Sequence, residues 1–127
     1  MNESSLTREL VKSLNKVGWF FKHVASEMGA QGIPDVMGCI TSRFVAIEVK
    51  VKRGRRLAYT RHQQIKLDEI NEAGGLAVGV AIDIKRPPQQ RWALDTEYSG
   101  QTGELTFGGL PELVEGIARL ANHPSIS

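Results

Sequence analysis

The sequence feature that most constrains the fold is an uninterrupted apolar run at residues 76–84, LAVGVAIDI. A strand that is apolar along its whole length is typical of the buried centre of a sheet with both faces covered. Gly74 and Gly75 precede the run, and this pair predicts the end of a helix that spans about residues 61–73. The chain is therefore predicted to be an α/β protein with a central sheet flanked by helices.

The other elements follow from apolar spacing and from turn-forming residues. Leu6, Leu10, Leu14 and Val17 recur at helical intervals, and Gly18 predicts the end of that first helix. The predicted segments before residue 61 are a helix at 6–17, a strand at 19–25, a loop at 26–34, and strands at 35–41 and 44–51 with a tight turn at Ser42 and Arg43. The predicted order is α-β-β-β-α-β.

The C-terminal segment is predicted to be less regular. Pro87 and Pro88 interrupt the chain, and residues 91–94 predict an edge strand. Residues 95–109 hold four glycines and predict a loose loop. Residues 110–121 predict a closing helix with a proline in its first turn.

The size of the chain, 127 residues, predicts a single domain over residues 1–127, with its core at about 6–84 and an edge strand and helix within 85–127. The one cysteine, Cys39, excludes an internal disulfide, fits a reducing cytoplasm and is predicted to be a small core residue. Trp19, Phe20 and Phe21 are also predicted to lie in the core. No apolar run approaches the roughly 20 residues that span a bilayer, so no membrane partner is expected.

Positive charge is concentrated in one part of the chain, although the formal net charge is only +2. Six basic residues and no acidic residue occur between positions 52 and 66: Lys52, Arg53, Arg55, Arg56, Arg61 and Lys66. Such a stretch can neutralise the phosphates of a nucleic acid. A solvated basic loop explains the same pattern equally well.

The candidate chemistry centres on the strand at residues 44–51. Because side chains alternate between the faces of a strand, Glu48 and Lys50 share one face, roughly 7 Å apart along the strand. A plain ion pair at the strand end is one explanation. Asp35 begins the preceding strand, and antiparallel pairing would bring it beside Glu48 and Lys50. Two carboxylates and a lysine then converge in a site that suits Mg²⁺.

These residues resemble a known signature. Pro34 and Asp35, followed by Glu48, Val49 and Lys50, are similar to the PD-(D/E)xK motif of a nuclease superfamily with a restriction-endonuclease-like core and a mixed central sheet. Within it, the chain resembles the VRR-NUC family, especially the stand-alone proteins of phages and prophages. The ordered features shared with that family are Glu9, the GIPD segment at 32–35, Glu48 to Lys50, Gly54, the TRHQ segment at 60–63 and the AGG segment at 73–75.

The resemblance implies a DNA endonuclease that uses Mg²⁺ or Mn²⁺ and no small-molecule cofactor. Asp35, Glu48, Glu9 and the Val49 carbonyl would bind the metal, Lys50 would position the nucleophile, and Gln63 and Glu9 would assist. Lys52, Arg53, Arg55, Arg56 and Arg61 are the expected DNA contacts. The resemblance also implies a homodimer acting on branched DNA such as Holliday junctions, in the cytoplasm of a bacterium or encoded by a phage.

Several alternatives stay open at the level of the sequence. An alternative explanation of Glu9 is an exposed glutamate favoured by the helix dipole, and an alternative explanation of Gln63 is a capping box with Thr60. The protein would otherwise be a repair or restriction-like nuclease on linear or nicked duplex, or an inactive DNA-binding module.

Overall fold

A computed structural model describes residues 2–24 and 32–123. In the described residues, one five-stranded sheet runs in the order β1-β2-β3-β4-β5. The elements are α1 (Glu3–Leu14), β1 (Trp19–Lys22), β2 (Val36–Ile40), β3 (Arg43–Val51), α2 (Arg61–Glu72), β4 (Leu76–Ile82), β5 (Trp92–Asp95) and α3 (Leu110–Asn122), with a short 3₁₀ turn at Pro88–Gln90. Only β3 and β4 pair in parallel, so the sheet is mixed, as predicted.

The main core lies on one face of the sheet. Helices α1 and α3 pack there through leucines, valines and isoleucines, among them Leu10 and Ile117, which are fully buried. All seven residues of β4 are buried, which confirms the predicted central strand. Helix α2 covers the opposite face, where Leu67 and Ile70 pack on Ala46 and Ala77. The arrangement is a sheet between two helical layers.

Capping residues set the ends of two helices. Asn2 caps α1 by accepting from the Ser5 N–H, so the helix begins at Glu3, earlier than the predicted residue 6, and Val17 lies beyond its end. Gly74 has φ +99 after the last turn of α2. The N–H groups of Gly74 and Gly75 donate to Asn71 and Ile70, which closes α2 where the glycine pair predicts.

The β2–β3 turn differs from the predicted one by a residue. It comprises Thr41 and Ser42, both with positive φ, as a two-residue hairpin with its favoured twist requires. Arg43 instead begins β3, and its guanidinium donates to carbonyls at the ends of both α2 and α3, including Gly75 and Leu120. This turn fixes the register that matters for the site.

Several predicted core residues are exposed. Cys39 is exposed, as are Trp19 (64%) and Phe21 (42%), and only Phe20 of the aromatic trio is buried. These three exposed side chains lie on the α2 side of β1 and β2, which α2 does not cover because it packs on β3 and β4. Most of the predicted loop at 26–34, and the end of the predicted strand at 19–25, fall outside the described residues.

The segment 95–109 is tied to the rest of the fold at several points. Tyr98 is buried, and its hydroxyl donates to Asp68 of α2. Gln101 forms a β-bridge with Arg56, and the Thr102 hydroxyl donates to the Arg55 carbonyl. The prediction of a loose loop is therefore wrong. Among the described residues, no helix has both the length and the apolar character needed to cross a membrane.

Candidate active site

The β2–β3 register brings two carboxylates together. Val36 pairs with Ile47, so Asp35 lies one residue further, opposite Glu48. The Asp35 Oδ2 accepts a hydrogen bond of 2.9 Å from the Val49 N–H, which fixes the Asp35 carboxylate at the edge of β3. Because a strand residue directs its N–H and C=O to the same side, the Val49 carbonyl faces this edge as well.

Glu48 is the buried centre of the cluster, with 2% of its surface exposed. Its Oε2 accepts a hydrogen bond of 2.9 Å from Gln63 Nε2 and lies 3.7 Å from the Lys50 ammonium. Its Oε1 is buried, and no donor in the described part of the chain reaches it. An unsatisfied buried carboxylate oxygen is costly unless a cation or a proton meets it.

The pKa of Glu48 also indicates that its carboxylate lacks sufficient neighbouring positive charge. Burial, the largest cause, and the neighbouring Asp35 carboxylate together raise the pKa of Glu48 to about 8, although the Lys50 ammonium opposes both effects. The cluster therefore holds one proton near neutral pH when nothing else neutralises it. A divalent cation would supply that charge.

The donor set fits a hard divalent ion. The described residues contain no group of three or more His, Cys, Asp or Glu side chains that would enclose a metal. Mg²⁺ is commonly bound through only one or two carboxylates, with waters and substrate phosphates completing its shell. Asp35, Glu48 and the Val49 carbonyl provide such a set, and Glu48 Oε1 is the atom that an ion would satisfy.

Gln63 forms a capping box with Thr60 and also a hydrogen bond to Glu48. Its N–H donates to the Thr60 hydroxyl and its Oε1 accepts from the Thr60 N–H, which is a capping box at the start of α2. Its Nε2 remains free for Glu48. The helix cap therefore orients the amide that holds Glu48.

Glu9 does not join the cluster. It is exposed on α1 and borders a hollow with Gln89 and Arg91 instead. Glu3, at the start of the same helix, borders a different hollow together with Lys50. Six residues along a helix separate these two glutamates by about 9 Å along the axis and by about 120° around it. The apolar spacing of the sequence does not indicate Glu3, but Asn2, a helix-capping residue directly before it, indicates that the helix begins there.

The basic residues form an exposed hairpin beside the cluster. Arg53 and Arg56 pair across Gly54, which has φ +62. Lys52 is held by an ion pair of 3.3 Å to Asp83. The exposed basic residues of this region that make no ion pair with a described carboxylate are Arg53, Arg55, Arg56 and Arg61.

A family model described as archaeal Holliday junction resolvase (Hjc) matches residues 2–96, which is more than half of the chain. The chain belongs to this family. The Hjc family is part of the PD-(D/E)xK nuclease superfamily, so the superfamily predicted from Asp35, Glu48 and Lys50 is confirmed, and membership implies an endonuclease that hydrolyses DNA. No curated protein sequence matches the chain.

The fold is also similar to a solved Hjc structure. That protein is the Hjc of Archaeoglobus fulgidus, a Holliday junction resolvase from an archaeal hyperthermophile. It is 18% identical, with a TM-score of 0.61, and the match covers 94% of this chain and 99% of that chain. The likeness confirms the predicted restriction-endonuclease-like fold.

Proposed function

We propose that this Hjc-family chain is a divalent-metal-dependent endonuclease that cuts DNA at four-way junctions. The observation that carries the proposal is the buried, unpartnered Oε1 of Glu48. Glu48 lies opposite Asp35 in the sheet, and its other carboxylate oxygen, Oε2, is 3.7 Å from the Lys50 ammonium. Membership in a family of Holliday junction resolvases supports branched DNA as the substrate.

Each residue of the cluster has a distinct part in this proposal. Asp35, Glu48 and the Val49 carbonyl would hold Mg²⁺ or Mn²⁺, and such an ion would supply positive charge near the scissile phosphate and lower the pKa of water. Lys50 orients the attacking water and offsets the negative charge that develops on the phosphate. Gln63 keeps Glu48 in one orientation through its 2.9 Å hydrogen bond. Glu9 has no part, because its side chain lies elsewhere.

The exposed arginines support binding to the DNA backbone. Arg53, Arg55, Arg56 and Arg61 are free to contact phosphates, whereas Lys52 contributes less because Asp83 already holds it. Contacts to phosphates position a protein on DNA and carry no base sequence. We therefore expect cleavage with little sequence preference.

Replacing Asp35 by Asn tests the function directly. The variant keeps an acceptor for the Val49 N–H, so we expect it to fold, but it loses one of two metal-binding charges. With Mg²⁺ or Mn²⁺, the wild-type chain should nick a labelled four-way junction, and Asp35→Asn should be slower by roughly 100-fold or more. The measurement is single-turnover cleavage on denaturing gels, with EDTA as the blank.

A linear duplex of the same sequence is the matched substrate control. Equal cleavage of the duplex and the junction would support a repair or restriction-like nuclease instead. Junction binding without cleavage in any metal would show an inactive DNA-binding module.

An apolar patch next to the cluster supports the homodimer. Trp19, Phe21, Met37, Cys39 and Phe44 share the α2-side face of β1, β2 and β3, in adjoining rows of the sheet. Apolar patches on one face of a soluble protein mark interaction surfaces. Asp35 and Glu48 lie on this same face, so a two-fold axis through the patch would place both active sites on one side of the dimer. Two symmetric nicks in a four-way junction need that arrangement.

Trp19→Asp should dissociate the dimer. Trp19 is 64% exposed, more than Phe21 or Phe44, so the change leaves the core intact but places a charge within the patch. We expect the dimer dissociation constant to rise at least about 30-fold, measured by sedimentation velocity over a dilution series. Ile84→Asp, at an exposed apolar residue outside the patch, is the control and should not change it. A wild-type chain that sediments as a monomer at every concentration of the dilution series would overturn the proposal of a homodimer.

The finer assignment to stand-alone VRR-NUC proteins, and with it a bacterial or phage origin, stays a prediction supported by the motifs at residues 32–35, 48–50 and 73–75. A single nuclease domain also stays a prediction, supported by the one sheet that contains all described strands.

A further inference from the structure

Tyr59 lies between the basic hairpin and α2, and the family motif gives it no part. It is half-buried and packs on both of the small apolar clusters of the α2 side, which include Ala81 and Leu67. Its hydroxyl donates a 2.9 Å hydrogen bond to Asp95 Oδ2. Tyr59 is thus anchored at both its ring and its hydroxyl.

The sheet register provides the place for this side chain. Glu48, Gly79 and Asp95 occupy one row across β3, β4 and β5. The Tyr59 hydroxyl lies directly over Gly79, where an added Cβ would approach its oxygen to 2.0 Å. The absence of a side chain at Gly79 therefore leaves room for the tyrosine hydroxyl over the middle of the row.

Asp95 is itself held firmly. It is 2% exposed, and its Oδ1 accepts from the backbone N–H of Tyr98 at 2.9 Å and of Glu97 at 3.3 Å. Burial and the adjacent Asp95 raise the pKa of Tyr59, so its hydroxyl stays protonated and remains a donor.

The ring of Tyr59 faces Lys50. The Lys50 Nζ lies 5.7 Å from the ring centroid and 3.7 Å from Glu48 Oε2. An ammonium within about 6 Å of an aromatic face is attracted to it. A lysine carries its charge on a flexible four-carbon stem, so without such neighbours the ammonium samples many positions.

We propose that Tyr59 is a positioning residue: its ring holds the Lys50 ammonium beside Glu48, and its hydroxyl, bound to Asp95, fixes the ring there. The proposal rests on the junction-cleaving function above and adds a residue that acts through Lys50 without contacting DNA. Small displacements of a catalytic group lower rates steeply, so loss of this support should slow the chemical step and leave substrate binding intact.

The test uses three variants of the full chain. Tyr59→Phe keeps the ring and removes the anchor, and Tyr59→Leu removes both. Tyr98→Phe is the matched control, because it removes another tyrosine hydroxyl that is bonded to an aspartate, Asp68. The Tyr98 ring packs on Tyr59, whereas the Tyr59 ring faces the Lys50 ammonium. Each variant is assayed for the single-turnover cleavage rate at saturating protein, for the junction dissociation constant without metal, and for its melting temperature.

We expect the single-turnover rate to fall about tenfold in Tyr59→Phe and about 100-fold in Tyr59→Leu, while the dissociation constant stays within about twofold of wild type. Tyr98→Phe should lower the melting temperature without slowing cleavage. An unchanged rate in Tyr59→Phe would overturn the proposal and would indicate that Tyr59 contributes only to packing. A weakened dissociation constant with an unchanged rate would also overturn it, and would make Tyr59 a DNA contact.

A second readout does not depend on cleavage. A ring above an ammonium shifts the resonances of the adjacent Lys50 Cε protons, and this shift should disappear in Tyr59→Leu. If the wild-type chain cuts no junction and yet shows the shift, the proposed function fails and the contact stands. If the wild-type chain cuts the junction and the shift is absent, the positioning proposal alone fails.

Discussion

Lys50→Ala is expected to cut a four-way junction about 10²–10³-fold more slowly than the wild-type chain while binding that junction with similar affinity. The ammonium lies 3.7 Å from Glu48 and is mostly shielded from solvent, with 17% of its side chain exposed. Its charge therefore acts on the reacting phosphate with little screening by water. The single-turnover rate at saturating protein isolates this effect from binding.

Lys52→Ala is the matched control for this prediction. It removes the same charge two residues further along, from an ammonium that is paired with Asp83 at 3.3 Å. We expect its rate to stay within about threefold of wild type, since a partly exposed ion pair contributes only weakly. A Lys50→Ala protein that cleaves at the wild-type rate would show that the proposed mechanism is wrong.

The central part of the site could be predicted because it depends on short-range geometry. The two-residue period of β3 places Glu48 and Lys50 on one face whatever the rest of the fold does. A tight turn fixes which residue of β2 faces Glu48, and a one-residue error in the turn still left Asp35 in reach. Gln63 follows from its spacing on α2.

The position of Glu9 relative to the carboxylate cluster could not be predicted by the same short-range geometry. Each residue of a helix rotates by 100°, so the choice between Glu3 and Glu9 depends on where α1 begins and how it lies on the sheet. The Asn2 cap sets the beginning, and the packing of Leu6 and Leu10 sets the orientation. The apolar spacing of the sequence indicates the buried face of α1 but not where the helix begins.

The exposure of the apolar patch is a second feature that the sequence does not predict. Trp19, Phe21 and Cys39 are apolar enough to be assigned to a core, and a strand does have two faces that can be buried. Whether the second face is covered depends on how far α2 reaches across the sheet. It reaches β3 and β4 only, a fact of tertiary packing that no local pattern records.

The support around Lys50 also comes from distant parts of the chain. Tyr59, Gly79 and Asp95 meet because three strands share a register, although each is unremarkable within its own segment. Similarly, the glycines of 95–109 predict a loose loop, but Tyr98 and Thr102 tie it to α2 and to the basic hairpin. The C-terminal segment thus holds the active-site side of the sheet in place.

Glu48→Gln should change stability and activity in opposite directions. An amide at this position has no charge to bury, and its NH₂ group can donate to the adjacent Asp35 carboxylate. In metal-free buffer the variant should therefore be at least as stable as the wild-type chain near neutral pH. It should also cleave the junction roughly 100-fold or more slowly, because one of the two metal-binding charges is gone.

The pH dependence gives this prediction its sharpest form. The pKa of Glu48 in the folded protein is about 8, above its ordinary value of 4.5, so between these values the folded state binds a proton that the unfolded state releases. The contribution of Glu48 to the stability of the metal-free wild-type chain is then fully present below about pH 4.5 and is lost as pH rises through about 8, by an amount on the order of 5 kcal/mol.

Urea unfolding in EDTA at pH 5 and at pH 8 measures this loss. Glu48→Gln should lack the part of the decline that comes from Glu48, and Mg²⁺ should restore stability at pH 8 only in the wild-type chain. Equal pH slopes in the two proteins would show that Glu48 is not the group that titrates. Equal stabilisation of both by Mg²⁺ would show that the ion binds without Glu48, because an ion that needs this carboxylate gains nothing from a neutral amide.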